Sequence, residues 1–204
     1  MLCLLSACGP TQVQVQGNFP SPLLDPLPIT LGVWYSQEFR DHAFFDEAKG
    51  PGDSEWVVRT GQAQVQMWDA LLNGMFESIV YLDTAPGNGI TPAGIDGILV
   101  PAVDELQYAI PTHTNIKVYE IWMRYRFNLL DPQGQPIAEW VMSSYGKTPT
   151  AFLQSDEQAV NLAAVMALRD AGAHFATGFQ RVPVVEPWLL RHGVLTRAAP
   201  VAAP

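Results

Sequence analysis

At 204 residues and 48% hydrophobic content, the chain is long enough for one domain with a sizeable core. Its formal net charge of −9 excludes the clustered Lys and Arg that nucleic-acid phosphates demand, and with them a polybasic attraction to anionic lipid. Both cysteines, Cys3 and Cys8, lie at the very start, so the body holds no disulfide framework, no Cys-ligated metal and no Cys nucleophile. No stretch reaches the roughly 18 consecutive apolar residues that a membrane-spanning helix needs.

The chain opens MLCLLSACGP. Leu5-Ser6-Ala7-Cys8 resembles the lipobox of bacterial lipoproteins, in which small residues precede a cysteine that is acylated and becomes the mature N-terminus. The resemblance implies a covalent lipid on Cys8 and no other cofactor. Residues 1–7 hold no Lys or Arg and fall short of a full signal segment, so they are expected to be the end of a longer signal peptide. Residues 8–28 contain five prolines and no basic residue, and read as a lipid-bearing cysteine followed by an extended spacer. Gly9 stands where an Asp favours retention at the inner membrane, which leans the expected location toward the outer membrane, periplasmic face.

A single globular domain is expected over 29–193, with residues 194–204 as a disordered tail. Residues 28–36 read as a strand with Ile29, Leu31, Val33 and Tyr35 on one face. Residues 37–60, with Pro, Gly and charges, read as a loop with one helical turn. The spacing of Val65, Trp68, Leu72, Met75, Phe76 and Ile79 predicts a helix over 61–80, its glutamines Gln62, Gln64 and Gln66 facing away, with a short strand leaving it at 78–83. A strand follows at 95–106, where Pro101 signals a bulge or an edge.

Alternation then becomes strict. Lys117, Tyr119, Ile121, Met123, Tyr125, Phe127 and Leu129 form an apolar face, against Val118, Glu120, Trp122, Arg124, Arg126 and Asn128 on the other. Asp131-Pro132-Gln133-Gly134 is a turn, and 136–145 returns as the partner strand. Ser155 and Gln158 make a capping box that opens a helix to about residue 178, with Val160, Ala164, Ala167, Ala171 and Phe175 on its packing face. Pro183 and Pro187 end it, and a short helix runs from Glu186 to His192, closed by Gly193. The fold class is therefore α/β (α+β): a mixed or antiparallel sheet with a long C-terminal hairpin and two long helices packed on one face.

This element order, behind a lipobox, is similar to a group of small outer-membrane lipoproteins. The group includes auxiliary lipoproteins of ABC-type lipid transporters and the periplasmic part of the curli-secretion lipoprotein. The resemblance is architectural and implies a non-enzymatic role, docking onto a transport or secretion assembly of the cell envelope. Its partners would be the membrane, through the acyl anchor, and an envelope protein or a second copy of the chain, with no nucleic acid.

Catalytic motifs are absent: no G-x-S-x-G, H-E-x-x-H, P-loop or G-x-G-x-x-G occurs, so no catalytic residue is assigned. The alternative function is a metal-dependent hydrolase or small-ligand binder using Asp41, His42, Asp46 and Glu47, although a solvated acidic loop explains the same residues. On that weighing no metal site is assigned. His113, His174 and His192 have no evident catalytic partner, and the loop APGNGITPAG reads as a connection rather than a ligand cradle. The candidate partner-binding residues are Trp122, Arg124, Arg126 and Trp140, since exposed Trp and Arg mark protein contacts. The competing reading covers Trp122 with the 37–60 segment. Long strand edges add a second route to a partner, through β-augmentation.

Overall fold

The computed structural model describes residues 10–46, 55–89, 91–109, 118–149 and 155–195. Two sheets and a helical layer make up the body. In chain order the elements are β1 (Thr11–Gln14), β2 (Leu27–Val33), α1 (Gln37–Arg40), β3 (Ala43–Asp46), β4 (Trp56–Arg59), α2 (Gly61–Met75), β5 (Phe76–Tyr81), β6 (Gly97–Ala109), β7 (Val118–Leu130), β8 (Pro136–Pro149), α3 (Asp156–Gly178) and α4 (Glu186–Arg191). The larger sheet runs β5-β2-β6-β7-β8 and the smaller one β1-β4-β3. β2 pairs in parallel with β5 and β6, while β6, β7 and β8 form an antiparallel meander. The α+β class, with a mixed sheet, a long hairpin and two long helices on one face, is as the sequence reads.

The apolar face of β7 is the floor of the core: Tyr119, Ile121, Met123, Tyr125, Phe127 and Leu129 are all buried. α2 and α3 lie on it. Trp68 of α2 stands edge-on to Tyr125, Phe127 and Phe175, with ring centroids 5.1–5.5 Å apart and interplanar angles of 72–78°, the arrangement aromatic quadrupoles favour. Alanines let α3 approach closely: Ala159, Ala163, Ala164, Ala167 and Ala171 are buried. Ser155 caps it, its Oγ accepting the Gln158 N–H at 3.3 Å. At the hairpin turn, Gly134 has φ 82, a conformation that favours glycine, and a Cβ there would lie 2.8 Å from the Gly87 nitrogen. Pro86 and Gly87 thus lie against the turn.

Several elements differ from the sequence reading. The 37–60 stretch contains two short strands as well as the expected helical turn. β3 and β4 pair with each other, and Val58 is buried. The helix of 61–80 stops at Met75, because Phe76 is already extended and begins β5. Gln64 is buried on the packing side, where its amide reaches Thr60. Pro101 sits just past the last β2–β6 pair, Val33↔Leu99, so its missing N–H falls on an edge, and the bulge lies further on, between Val103 and Glu105.

The largest difference concerns residues 8–28. Thr11–Gln14 pairs in parallel with Trp56–Arg59, and Val13 and Val15 are buried. The chain then runs as a strap over the helices. Asn161 of α3 exchanges two hydrogen bonds with the Gln16 backbone, and Arg169 donates to the Asn18 carbonyl at 2.9 Å. Phe19 and Pro22 reach the α2–α3 groove beside Met67 and Leu71. From residue 11 onward this stretch belongs to the folded body. At the other end, Val194 and Leu195 still pack on the core. Cys8, Glu47, His113 and residues 196–204 lie outside the described residues.

Candidate functional site

The face of the hairpin turned away from the helices carries exposed apolar side chains, Trp122, Val141 and Tyr145. β7 places Glu120, Trp122, Arg124 and Arg126 on it in a row, opposite Lys147, Tyr145, Ser143 and Val141 of β8. Trp122 is 39% exposed and lies 5.2 Å, ring to ring, from Tyr145. The Tyr145 hydroxyl donates to Glu120 Oε1 at 2.5 Å. Loss of water contact and then the Glu120 carboxylate push this hydroxyl up to about 12, so it stays a donor at neutral pH. Beside the aromatic pair is a shallow cavity of about 310 Å³, walled by Glu105, Gln107, Trp122, Arg124 and Ser143.

The four residues singled out from sequence divide three ways. Trp122 and Arg124 share the cavity. Arg126 stands next to it but is committed inside the chain: Nε and one terminal nitrogen grip Asp104 at 3.0 and 2.8 Å, and the other reaches Glu139 at 2.9 Å. That hydrogen bonding holds the Asp104 carboxyl below the usual carboxylate range. The bridge is water-exposed and contributes little stability, but it fixes the guanidinium. Trp140 is on the opposite face. Its register partner is Phe127, and it stacks on that ring at 5.1 Å under α3. Of the 37–60 segment, the described β3 packs by the end of β6, where Phe44 meets Tyr108 at 5.2 Å. Sequence reasoning missed Tyr145 and the exposed Val141. Counting the register back from the Asp131–Gly134 turn places both outward.

Strand addition at β8 meets an obstacle. Asp170 of α3 accepts the Tyr145 N–H at 2.9 Å, and His174 lies 3.3 Å from the Ser143 carbonyl. The edge groups at 143 and 145 are already satisfied, so β-augmentation is opposed there.

Of the 40–47 residues, Asp41 and His42 turn to separate partners. Asp41 bonds the Gln37 amide, and His42 Nδ1 lies 2.6 Å from Thr60 Oγ1, which also accepts from Gln64. Burial holds the His42 ring below its ordinary pKa, so it is a neutral pin between β3 and the start of α2. Asp46 is at the far end of β3, opposite Trp56. Among the described residues no three His, Cys, Asp or Glu side chains gather to hold a metal ion. His192 sits 3.5 Å from Asp96 and against Trp188, tying α4 to the start of β6.

The fold has a solved counterpart. A Xanthomonas campestris protein of the DUF330 family model superposes with a TM-score of 0.53 at 13% identity, over 84% of this chain and 98% of that one. A minor lipoprotein from Acinetobacter baumannii matches with a TM-score of 0.42 at 10% identity, over 77% of this chain and 94% of that one. No protein-family model matches the sequence, and comparison with curated proteins gives no match. The chain shares its fold with the Xanthomonas protein, and at this identity the likeness extends to the fold alone.

Proposed function

We propose that the chain is a non-enzymatic lipoprotein of the bacterial envelope. It is acylated on Cys8, held at the periplasmic face of the outer membrane, and docks its hairpin face onto a protein assembly for transport or secretion. The observation that carries the docking is the part-exposed Trp122–Tyr145 pair beside Arg124, on the face of the hairpin turned away from the helices. Aromatic rings next to a guanidinium are the residue types that dominate protein–protein contacts. The anchor rests on Leu5-Ser6-Ala7-Cys8, and stable attachment takes two or more acyl chains.

Two measurements test the two halves. In cells fed a clickable palmitate analogue, the wild-type chain takes up label and fractionates with outer membranes, and Cys8→Ser loses both. A photo-crosslinking amino acid at Trp122 captures an envelope protein, and one at the more exposed Val184 does not. An unlabelled soluble chain would overturn the anchor. Equal capture at the two positions would overturn the docking face.

A further inference from the structure

A second concavity lies at the opposite end of the three-stranded sheet from Thr11. It has a volume of about 550 Å³, and its wall includes Gln14, Arg40, Asp41, Arg59 and Gln62. Gln14 and Arg59 are register partners on β1 and β4, so their side chains leave the sheet on the same side. Arg40 ends α1, and Gln62 is in the first turn of α2.

Two guanidinium groups reach this wall, Arg40 and Arg59. Among the described residues neither is in an ion pair, so no carboxylate among them occupies their donors. Among the described residues the Arg40 guanidinium donates through Nε alone, to the Tyr35 carbonyl at 3.2 Å, with its central carbon 5.3 Å from the centre of the Tyr35 ring. Its two terminal nitrogens remain for a ligand. The one carboxylate on the wall, Asp41, is engaged by the Gln37 amide, and the first turn of α2 holds no acidic side chain.

We infer that this cleft binds a phosphate group through Arg40 and Arg59. Two separate guanidinium forks suit a tetrahedral anion, which presents several oxygens to several donors, better than a planar carboxylate that one fork satisfies. The Gln14 and Gln62 amides stand on the same wall to take a further oxygen. The inference is independent of the docking face. The phosphate is either free in solution or the headgroup of a lipid.

The test uses the full chain carrying Cys8→Ser, so that no acyl anchor brings it to a bilayer. Backbone amide resonances are followed on titration with inorganic phosphate, and co-sedimentation is measured with phosphatidic acid vesicles and with phosphatidylcholine vesicles. Saturable shifts at Arg59 and Gln62, weakened about tenfold or more in Arg59→Gln, support a free-phosphate site. Sedimentation with phosphatidic acid alone, lost in Arg59→Gln, supports a headgroup site. Among the described residues the Arg59 side chain makes no hydrogen bond or ion pair, and its backbone bond to Val15 is kept in the variant, so Arg59→Gln should keep the wild-type melting temperature, and Arg40→Lys serves as the second variant. Absence of binding in both arms, or binding unchanged in both variants, overturns the inference.

Discussion

Asp170 Oδ2 sits 2.9 Å from the backbone nitrogen of Tyr145, so a helix side chain occupies a hydrogen-bonding group that the sheet edge would otherwise offer. Such guarding is how sheets avoid pairing with other chains. Replacing Asp170 with Ala should cost about 1 kcal/mol for the lost bond and free the N–H for a strand from another molecule. Light scattering across a concentration series should show more self-association than wild type. A destabilised variant with wild-type scattering would sink the guarding role.

At Gly146 the backbones of β8 and α3 are in close contact. A Cβ there would fall 2.2 Å from the Ala163 carbonyl oxygen and 2.3 Å from the Ala167 nitrogen, both backbone atoms that cannot swing away. Gly146→Ala must push the helix off the sheet, and should destabilise by about 3 kcal/mol. Gly178 is the control: it is helical, and nothing lies within 4 Å of its would-be Cβ. Gly178→Ala should stabilise by about 0.4–1 kcal/mol through the unfolded state. Denaturant midpoints of opposite sign for the two variants are the expected outcome.

These packing details explain which parts of the fold are legible in sequence. β7 alternates without interruption, and α3 carries an alanine stripe behind a capping box, so both periods can be read directly. β3 and β4 are four residues each, Ala43–Asp46 and Trp56–Arg59, too short to show a period and flanked by Gly, Pro and charges. They form because they pair with each other and with β1, which is a non-local fact. Thr11–Gln14 is different. Val13 and Val15 do alternate with glutamines, but the prolines downstream outweigh that signal in a reading by composition. At the site, Trp122 and Arg124 follow from alternation alone. Trp140 faces inward, and Tyr145 outward, because of the β7–β8 register, and a reading of each strand separately cannot supply it.

His42 gives the chain a pH dependence of defined sign. Burial lowers its folded pKa below the ordinary 6.5, so between those two values the unfolded chain binds more protons than the folded one. The stability this group contributes is complete above about pH 6.5 and is lost as pH falls through the folded value. His42→Gln should flatten the stability profile below pH 6.5 relative to wild type. Thr60→Val leaves His42 Nδ1 and the Gln64 amide without their shared partner, and should cost about 1–3 kcal/mol at neutral pH. Chemical denaturation at half-unit pH intervals measures both. A wild-type profile that stays flat down to pH 5 would show that His42 does not titrate with folding.

The shortness of the path from Cys8 to the folded body sets how an anchored molecule would stand on a bilayer. Three residues of extended chain reach about 10 Å, and Thr11 is already fixed, its N–H bonded to the Glu55 carbonyl at 2.7 Å. The Glu55 end of the smaller sheet must then lie close to the headgroups. That sheet meets the larger one near Tyr108, whose register partner is Ile121. The Asp131–Gly134 turn is at the other end of the 13-residue β7, roughly 30–40 Å away along the strand. In reconstituted vesicles with an acceptor dye on the headgroups, a donor at Glu55 should transfer strongly and a donor at Gln133 weakly. Ten Gly/Ser residues inserted between Gly9 and Pro10 should bring the two efficiencies together by freeing the body to tumble. Equal transfer from both positions without the insert would mean that the anchored body lies flat or is not held by Cys8, and the upright stance would be abandoned.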